Sequence, residues 1–437
     1  MKIAFIMVKA HSYRLKNRPF LIKNSPDSLT LGTLHAIVSE AFPDIQIETY
    51  DETVEIVNPA EIQADIIGIS ALTSTFDRAK EYAQIFRSKG IPVFLGGTHS
   101  SLVPETCTEY FDSIISGLAN ESLIELINDF KNNNLKKIYY QNPQMSFKNF
   151  VHPTRTLYEN KNYWSQELNM VQATYGCSNI CEFCVQPYVC NGYHQRPIKD
   201  VIEEIKKIKS EDVEFYDPNL AKDTKYLIEL CKELIPLKKK WFAPMTISIA
   251  NNEALLCLLE KSGCTGVLIG FESINSHSIE AINKGFNQID KYKDAVQKFH
   301  NHNIEVTGSF VLGLDGDTQD TEEKLLQFLI EARIDYPRFT INTPFPGTKY
   351  YEYLKNKNRI LTNDLSKYDC RHCVIQPNQL SPENVETIFK NMWEKTYTVK
   401  NTIQRLSYIK TPSKRFIKTI LNYIAGKTYI KTNLQDL

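Results

Sequence analysis

The sequence predicts an α/β chain in three parts: a doubly wound parallel sheet, then a partial (β/α)6 barrel, then a mainly helical carboxyl-terminal extension. Two observations carry this expectation. Short apolar, β-branched runs alternate with amphipathic patterns in two successive series, as parallel strands joined by helical crossovers do. Between the series, residues 136–168 lose that periodicity and gain Asn, Pro and Lys, so they read as a linker.

The first series occupies residues 1–135, with strands expected at 2–8 ("KIAFIMV"), 45–50, 65–70, 92–97 and 113–117. Each is apolar enough to be buried on both faces. Amphipathic stretches around 28–41, 76–89 and 121–131 supply the crossovers. Ligands of such sheets bind beyond the carboxyl ends of the strands, here near 9–28, 70–75, 96–99 and 117–121. His99 and His11 fall in that crevice, and a lone loop histidine reads first as a structural hydrogen-bonding group.

The second series, 169–350, places strands at 170–175, 213–216, 241–246, 266–270, 304–312 and 338–343. Ile198, Val201, Ile202, Ile205 and Ile208 repeat at helical spacing between the first two. Strand counting alone also admits a second open sheet; in a barrel, chemistry collects at the carboxyl ends of the strands.

Composition excludes several classes. Lys plus Arg and Asp plus Glu number 51 each in 437 residues, so no global field favours nucleic acid. The opening "MKIAFIMVKA" is too short for a signal sequence or a membrane span, so a cytoplasmic location is expected. Ten cysteines in such a chain stay reduced, and clustered ones point to metal or catalysis.

The cluster is "YGCSNICEFCVQ" (175–186), with Cys177, Cys181 and Cys184 just after the first strand of the second series. A four-iron cluster used only for electron transfer takes four thiolates. Three leave one iron open to a small molecule, as an open position distinguishes a catalytic zinc site from a structural one. The competing readings are a zinc site completed by Cys190 or His194, and ordinary buried thiols.

Cys-x-x-x-Cys-x-x-Cys with Phe183 before the last cysteine resembles the signature of the radical S-adenosylmethionine enzymes. The resemblance implies that Cys177, Cys181 and Cys184 hold a 4Fe-4S cluster whose open iron chelates S-adenosylmethionine. It further implies one-electron reduction, by a donor such as flavodoxin or ferredoxin, that yields a 5′-deoxyadenosyl radical. "FYDPN" (215–219) then offers Asp217 and Asn219 to the methionine amino end, with a simple turn as the competing reading. "GVLIGFES" (266–273) offers Glu272, which should face the site or an arginine because a lone buried carboxylate is costly. "GSFVLGLDGDT" (308–318) and "NTPFPGT" (342–348) resemble the loops closing the last two strands, where Gly313 and Gly347 would permit close approach or positive φ.

The first series is similar to the flavodoxin-like, cobalamin-binding type of domain that precedes the barrel in one subfamily. "DIIGISALTST" (65–75), "FLGGTHSS" (94–101) and "SGLANES" (116–122) carry the similarity and make Ser70, Thr73, Gly96, Gly97 and Gly117 candidate cobalamin contacts. Asp-x-His-x-x-Gly does not occur, and the subfamily often leaves cobalt without a protein imidazole.

In the extension, 351–437, Cys370 and Cys373 flank His372 as half a metal site at most, and "LSPENVETIF" reads as a helix start capped by its serine. Lys400, Arg405, Lys410, Lys414, Arg415, Lys418, Lys427 and Lys431 are opposed only by Asp436. This basic tail reads first as a face packed on its own protein, and second as a peripheral contact with an anionic membrane.

The implied function is a cobalamin-dependent radical S-adenosylmethionine methyltransferase acting on an unactivated carbon of a small-molecule or peptide substrate, with no catalytic side chain assigned. Cyclisation or carbon-skeleton rearrangement on the same cofactors is the alternative, and a zinc-binding scaffold without catalysis is the reading from a different class.

Overall fold

A computed structural model describes residues 1–9, 28–148, 150–159, 168–179 and 181–434. His11, Asp436 and most of the expected crevice segment 9–28 lie outside the described residues. The first sheet is fully parallel, with six strands: β1 (Lys2–Met7), β2 (Gln46–Asp51), β3 (Ile66–Ser70), β4 (Val93–Gly96), β5 (Ser113–Ser116) and β6 (Ile138–Tyr140). Their order is β2-β1-β3-β4-β5-β6.

Alternation along β1 explains why the sheet is wound on both faces. Ile3 and Phe5 pack with Leu31, Val38, Leu123 and Ile127 from helices Leu29–Ala41 and Ala119–Lys131. Ala4 and Ile6 pack on the opposite face with Ala79, Tyr82 and Phe86 from helix Phe76–Ser88. Side chains two apart on a strand share a face, so a run without polar residues requires cover on both sides.

Five of the six strands fall where the sequence places them, and β6 is the addition. It is three residues long and pairs with β5 through Ile114 opposite Ile138. The segment read as a linker also packs: the Thr154 amide donates to the Gly32 carbonyl at 2.9 Å, and Arg155 pairs with Glu204 at 2.5 Å.

The second sheet contains β7 (Met170–Val171), then, after the two-residue strands β8 (Thr174–Tyr175) and β9 (His194–Gln195), β10 (Asp212–Phe215), β11 (Lys240–Met245), β12 (Cys264–Glu272), β13 (Glu305–Leu312) and β14 (Tyr336–Ile341). Its order is β14-β13-β12-β11-β10-β7, all parallel and in chain order, as in a partial barrel. Val201, Ile202 and Ile205 of helix Ile198–Lys207 are buried against it, as their spacing requires. The expected strand 170–175 is split, because Thr174 and Tyr175 leave the sheet and pair antiparallel with Gln195 and His194.

The extension is mainly helical, with Pro382–Thr396, Val399–Arg405 and Pro412–Asn433; Trp393 seats the first of these edge-on against Phe339 of β14. Among the described residues, no helix is long and apolar enough to cross a membrane.

The carboxyl ends of the two sheets meet. Helix Thr98–Leu102, which follows β4, packs on helix Gln186–Val189, which follows the cysteine triplet. The turn Thr73–Thr75 after β3 packs on Leu365–Lys367. Gly347, after β14, has φ +87°, and a Cβ there would stand 2.2 Å from the Leu102 carbonyl oxygen. Only glycine permits this approach between the two halves.

Candidate active site

Antiparallel β8 and β9 form a clip, and the loop they close, 176–193, carries Cys177, Cys181 and Cys184. Its base is set by Gly176, at φ +68°, where a Cβ would lie 1.9 Å from the Gly192 carbonyl oxygen. Asp217, at the end of β10, holds the incoming strand. Its carboxylate accepts from the Ala173 amide at 3.2 Å, the Thr174 amide at 2.5 Å and the Thr174 hydroxyl at 2.6 Å. Burial nevertheless lifts its pKa to about 7. Arg196 holds the outgoing strand through the Gln172 carbonyl, Asp200 and Glu204, at 2.6–2.8 Å.

The loop docks on the segment after β12: the Glu182 amide donates to the Ile282 carbonyl at 3.2 Å, and Phe183 packs against Ile279, Ile282, Val311 and Leu314. That contact brings in Lys284, whose ammonium forms an ion pair with Glu272 at 2.5 Å. Burial pushes the Cys181 thiol up to about 11 and the Cys184 thiol up as well, with the Lys284 charge opposing both shifts. Thiols in such a place ionise when a metal supplies the countercharge.

Asn219, also at the end of β10, is buried, and its side-chain oxygen has no hydrogen-bond partner in the structure. The same holds for the Asn342 side-chain oxygen at the end of β14, although its amide nitrogen donates to Tyr350 at 2.7 Å. Unpaired buried acceptors at one rim of a barrel fit a ligand bearing N–H groups. A cavity of about 150 Å³ opens beside Glu272, between Asn275, Val311 and Asp317.

The site therefore brings together the triplet, Glu272 and Lys284, and sets Asn219 at the same rim. Asp217 is engaged with backbone and Thr174. Lys284, Asn342 and Arg196 are the residues that sequence reasoning missed; only the unusual burial of a polar side chain marks them, and burial is not visible before folding.

The zinc alternatives point elsewhere. Cys190 is buried among Met145, Phe147, Phe150 and Tyr175, and His194 stacks on Phe147 with centroids 4.2 Å apart. Among the described residues, one group of three metal-ligating types has its donor atoms within 4.8 Å of one another, and it is Glu253, Cys257 and His302, not the triplet. A mononuclear ion needs that convergence. Of the second pair, Cys373 donates to the Ile375 carbonyl at 3.3 Å, and burial lifts the Cys370 thiol to about 11.

The crevice of the first sheet faces this rim. A Cβ on Gly96 would meet nothing within 4 Å, and Leu72 is 56% exposed at the crevice mouth. Ser70 ends β3, and Gly97 at φ +105° turns the chain after β4. Thr73 is buried and bonds His99 Nδ1 at 3.2 Å, while His99 lies against Phe76 with centroids 4.2 Å apart and is held near neutral, its pKa lowered by burial to about 4. Gly117 has φ +89° and its amide donates to Ser101 at 2.9 Å; beside it, Gln141 Oε1 accepts from the Leu118 amide at 3.1 Å.

The sequence profile of the radical SAM superfamily matches residues 171–329, the clip and most of the barrel. That segment is similar to the radical SAM superfamily. Bacteriochlorophyllide d C-12(1)-methyltransferase of Chlorobaculum tepidum is 27% identical over 354 residues, which span 78% of this chain and 76% of that one. Bacteriochlorophyllide d C-8(2)-methyltransferase of the same organism is 27% identical over 425 residues, 93% and 92% of the two chains. Among solved structures, the cobalamin-dependent S-adenosylmethionine radical enzyme OxsB, with aqua-cobalamin and S-adenosylmethionine bound, superposes with a TM-score of 0.70 at 15% identity, covering 99% of this chain and 71% of that one. The radical SAM barrel and the preceding doubly wound sheet thus share one fold with that enzyme.

Proposed function

We propose that this protein is a cobalamin-dependent radical SAM methyltransferase acting on an unactivated carbon of a small-molecule or peptide substrate. The observation that carries the reading is the apposition of the three-thiol loop, at the carboxyl rim of the barrel, with the glycine-lined crevice of the first sheet. In this reading Cys177, Cys181 and Cys184 hold the 4Fe-4S cluster. Asn219 and Glu272 border S-adenosylmethionine, and Ser70, Thr73, Gly96, Gly97 and Gly117 border cobalamin.

When bound, the cluster delivers single electrons to the sulfonium of S-adenosylmethionine and cobalamin carries a methyl group. The chain's own residues fix the geometry. Gly176, Asp217 and Arg196 set the two ends of the cysteine loop. Asn219 Oδ1 is an acceptor awaiting an ammonium. Lys284 offsets the charge of Glu272 and of thiolates at Cys181 and Cys184.

Methyl transfer is favoured over cyclisation or carbon-skeleton rearrangement by the two methyltransferase relatives, one aligned along nearly the whole chain. A bacteriochlorophyllide is the first substrate to assay, because both relatives act on one. The reading includes a cytoplasmic location and an external one-electron donor such as flavodoxin or ferredoxin.

The test is metal content of protein made with cobalamin available and purified without oxygen. Iron near roughly four atoms per chain with stoichiometric cobalt supports the proposal. Zinc alone sinks it, and iron without cobalt removes the cobalamin half. Incubation with S-adenosylmethionine, reductant and substrate should then release deoxyadenosine and S-adenosylhomocysteine together; the absence of S-adenosylhomocysteine would exclude methyl transfer.

A further inference from the structure

The carboxyl-terminal helix Pro412–Asn433 has two faces of opposite character. On the inner face, Thr419, Asn422 and Gly426 are buried, and Tyr429 stacks on Trp393 with centroids 3.6 Å apart. The opposite face carries Phe416, Ile417, Ile420, Leu421 and Ile424 at the i, i+1, i+4, i+5, i+8 spacing of one helical stripe. All five are exposed, Phe416 at 67% and Ile417 at 57%. Val399 and Ile403 of the adjoining helix are also about half exposed. The sequence ranked a face packed on the protein first; the structure packs the small and polar residues inward and turns the large apolar ones out.

Charge defines what can cover this face. Residues 397–434 contain no Asp or Glu. Of the basic residues there, Arg405 is buried and donates to the Ile334 and Asp335 carbonyls, and Lys418 pairs with Glu305. Lys400, Lys410, Lys414 and Lys427 remain exposed, and Lys414 and Lys427 lie on the same helix as the stripe. The chain as a whole is balanced, so this concentration of positive charge is local.

We propose that this helix is a membrane-surface anchor that lays Phe416, Ile417, Ile420, Leu421 and Ile424 into the interface of an anionic bilayer, with the surrounding lysines on the headgroups. An apolar helical stripe rimmed by lysine is the pattern of helices that lie in, rather than cross, a bilayer. A second copy of the chain is the poorer occupant, because a two-fold contact through this face sets lysines against lysines. The anchor stands apart from the cofactor chemistry and does not depend on it.

The test uses the full-length protein with vesicles of phosphatidylcholine, with or without roughly 30% phosphatidylglycerol. Co-flotation should occur with the anionic vesicles and fall at least about tenfold with the neutral ones, or in molar salt. Phe416→Ser/Ile420→Ser/Ile424→Ser should lose at least about tenfold in partitioning at an unchanged melting temperature, since these side chains are already exposed. Lys414→Gln and Lys427→Gln should each lose about fivefold. Equal partitioning into both vesicle types, full binding by the triple serine variant, or a stable dimer that this variant dissolves would each overturn the proposal.

Discussion

Lys284 and Glu272 form a buried ion pair, Nζ to Oε1 2.5 Å, at the carboxyl end of β12, and the same ammonium acts on Cys181 and Cys184. Glu272 occupies the left-handed region, φ +62°, at a bulge in the pairing of β12 with β13. Its carboxylate meets the Lys284 ammonium there, where the sequence predicts that it faces the site or an arginine.

Removing one partner of a buried pair leaves an uncompensated charge. Lys284→Met should therefore cost on the order of 3 kcal/mol and lower the retained iron. The double variant Lys284→Met/Glu272→Gln should recover at least half of the lost stability, because no lone charge is left. Thermal melts of the four proteins of this cycle give the coupling directly; additive losses would show that the pair does not act as a unit.

The three thiols should behave differently from the fourth cysteine of the clip. Cys177→Ala, Cys181→Ala and Cys184→Ala are each expected to abolish deoxyadenosine formation and most bound iron, with the first sheet still folded. Cys190→Ala should keep its iron and lose only about 1 kcal/mol of packing. Iron counts on anaerobic protein decide this, and full activity in any triplet variant would remove the cluster assignment.

What the sequence made legible follows from where the physical signal is local. β1 and β3 are continuous β-branched runs, so their burial shows in composition alone. β6 is three residues between lysines and a proline, too short for any period to register. The division of 170–175 between the barrel and the clip depends on a pairing with Gln195, twenty residues on, which hydrophobic pattern does not encode. Cys177, Cys181 and Cys184 were visible because three ligands share one loop. Lys284, a hundred residues beyond the triplet, reaches it only through the docking of Glu182 on Ile282.

Asn219 offers a test that separates binding from folding. An unpaired buried acceptor destabilises the ligand-free protein, so Asn219→Ala should leave the melting temperature unchanged or raise it. Its affinity for S-adenosylmethionine should fall about 10- to 100-fold, the worth of a hydrogen bond to a charged group. Equilibrium binding on cluster-loaded protein measures this. An unchanged affinity would return Asn219 to the role of a turn residue.

Asp317 makes the fold sensitive to pH. It is buried, accepts from the Gly313 amide at 2.8 Å and the Leu314 amide at 3.2 Å, and burial lifts its pKa to about 7, with Asp315 adding to the shift. A carboxyl raised on folding contributes stability that is full below its unfolded value and is lost as pH rises through about 7. Asp317→Asn keeps an acceptor for both amides and carries no charge. Its stability relative to wild type should therefore improve between pH 5 and pH 8, by on the order of 3 kcal/mol. Melting temperatures of both proteins across that range check the sign, and a difference that does not change with pH would refute it.

Gly347 ties the two sheets. Any side chain there must hold a left-handed φ, at a cost of about 1–2 kcal/mol, and must also displace the Leu102 carbonyl, with which a Cβ would overlap at 2.2 Å. The contact joins the loop after β14 to the helix after β4, so Gly347→Ala should loosen the first sheet from the barrel without touching the cysteine loop. Iron content should stay near wild type, cobalt loading should fall several-fold, and a protease should cut between the halves at an increased rate. Undiminished cobalt together with increased cleavage would mean that the first sheet holds its ligand without the barrel's help; undiminished cobalt with unchanged cleavage would mean that the backbone shifts to accept the methyl group.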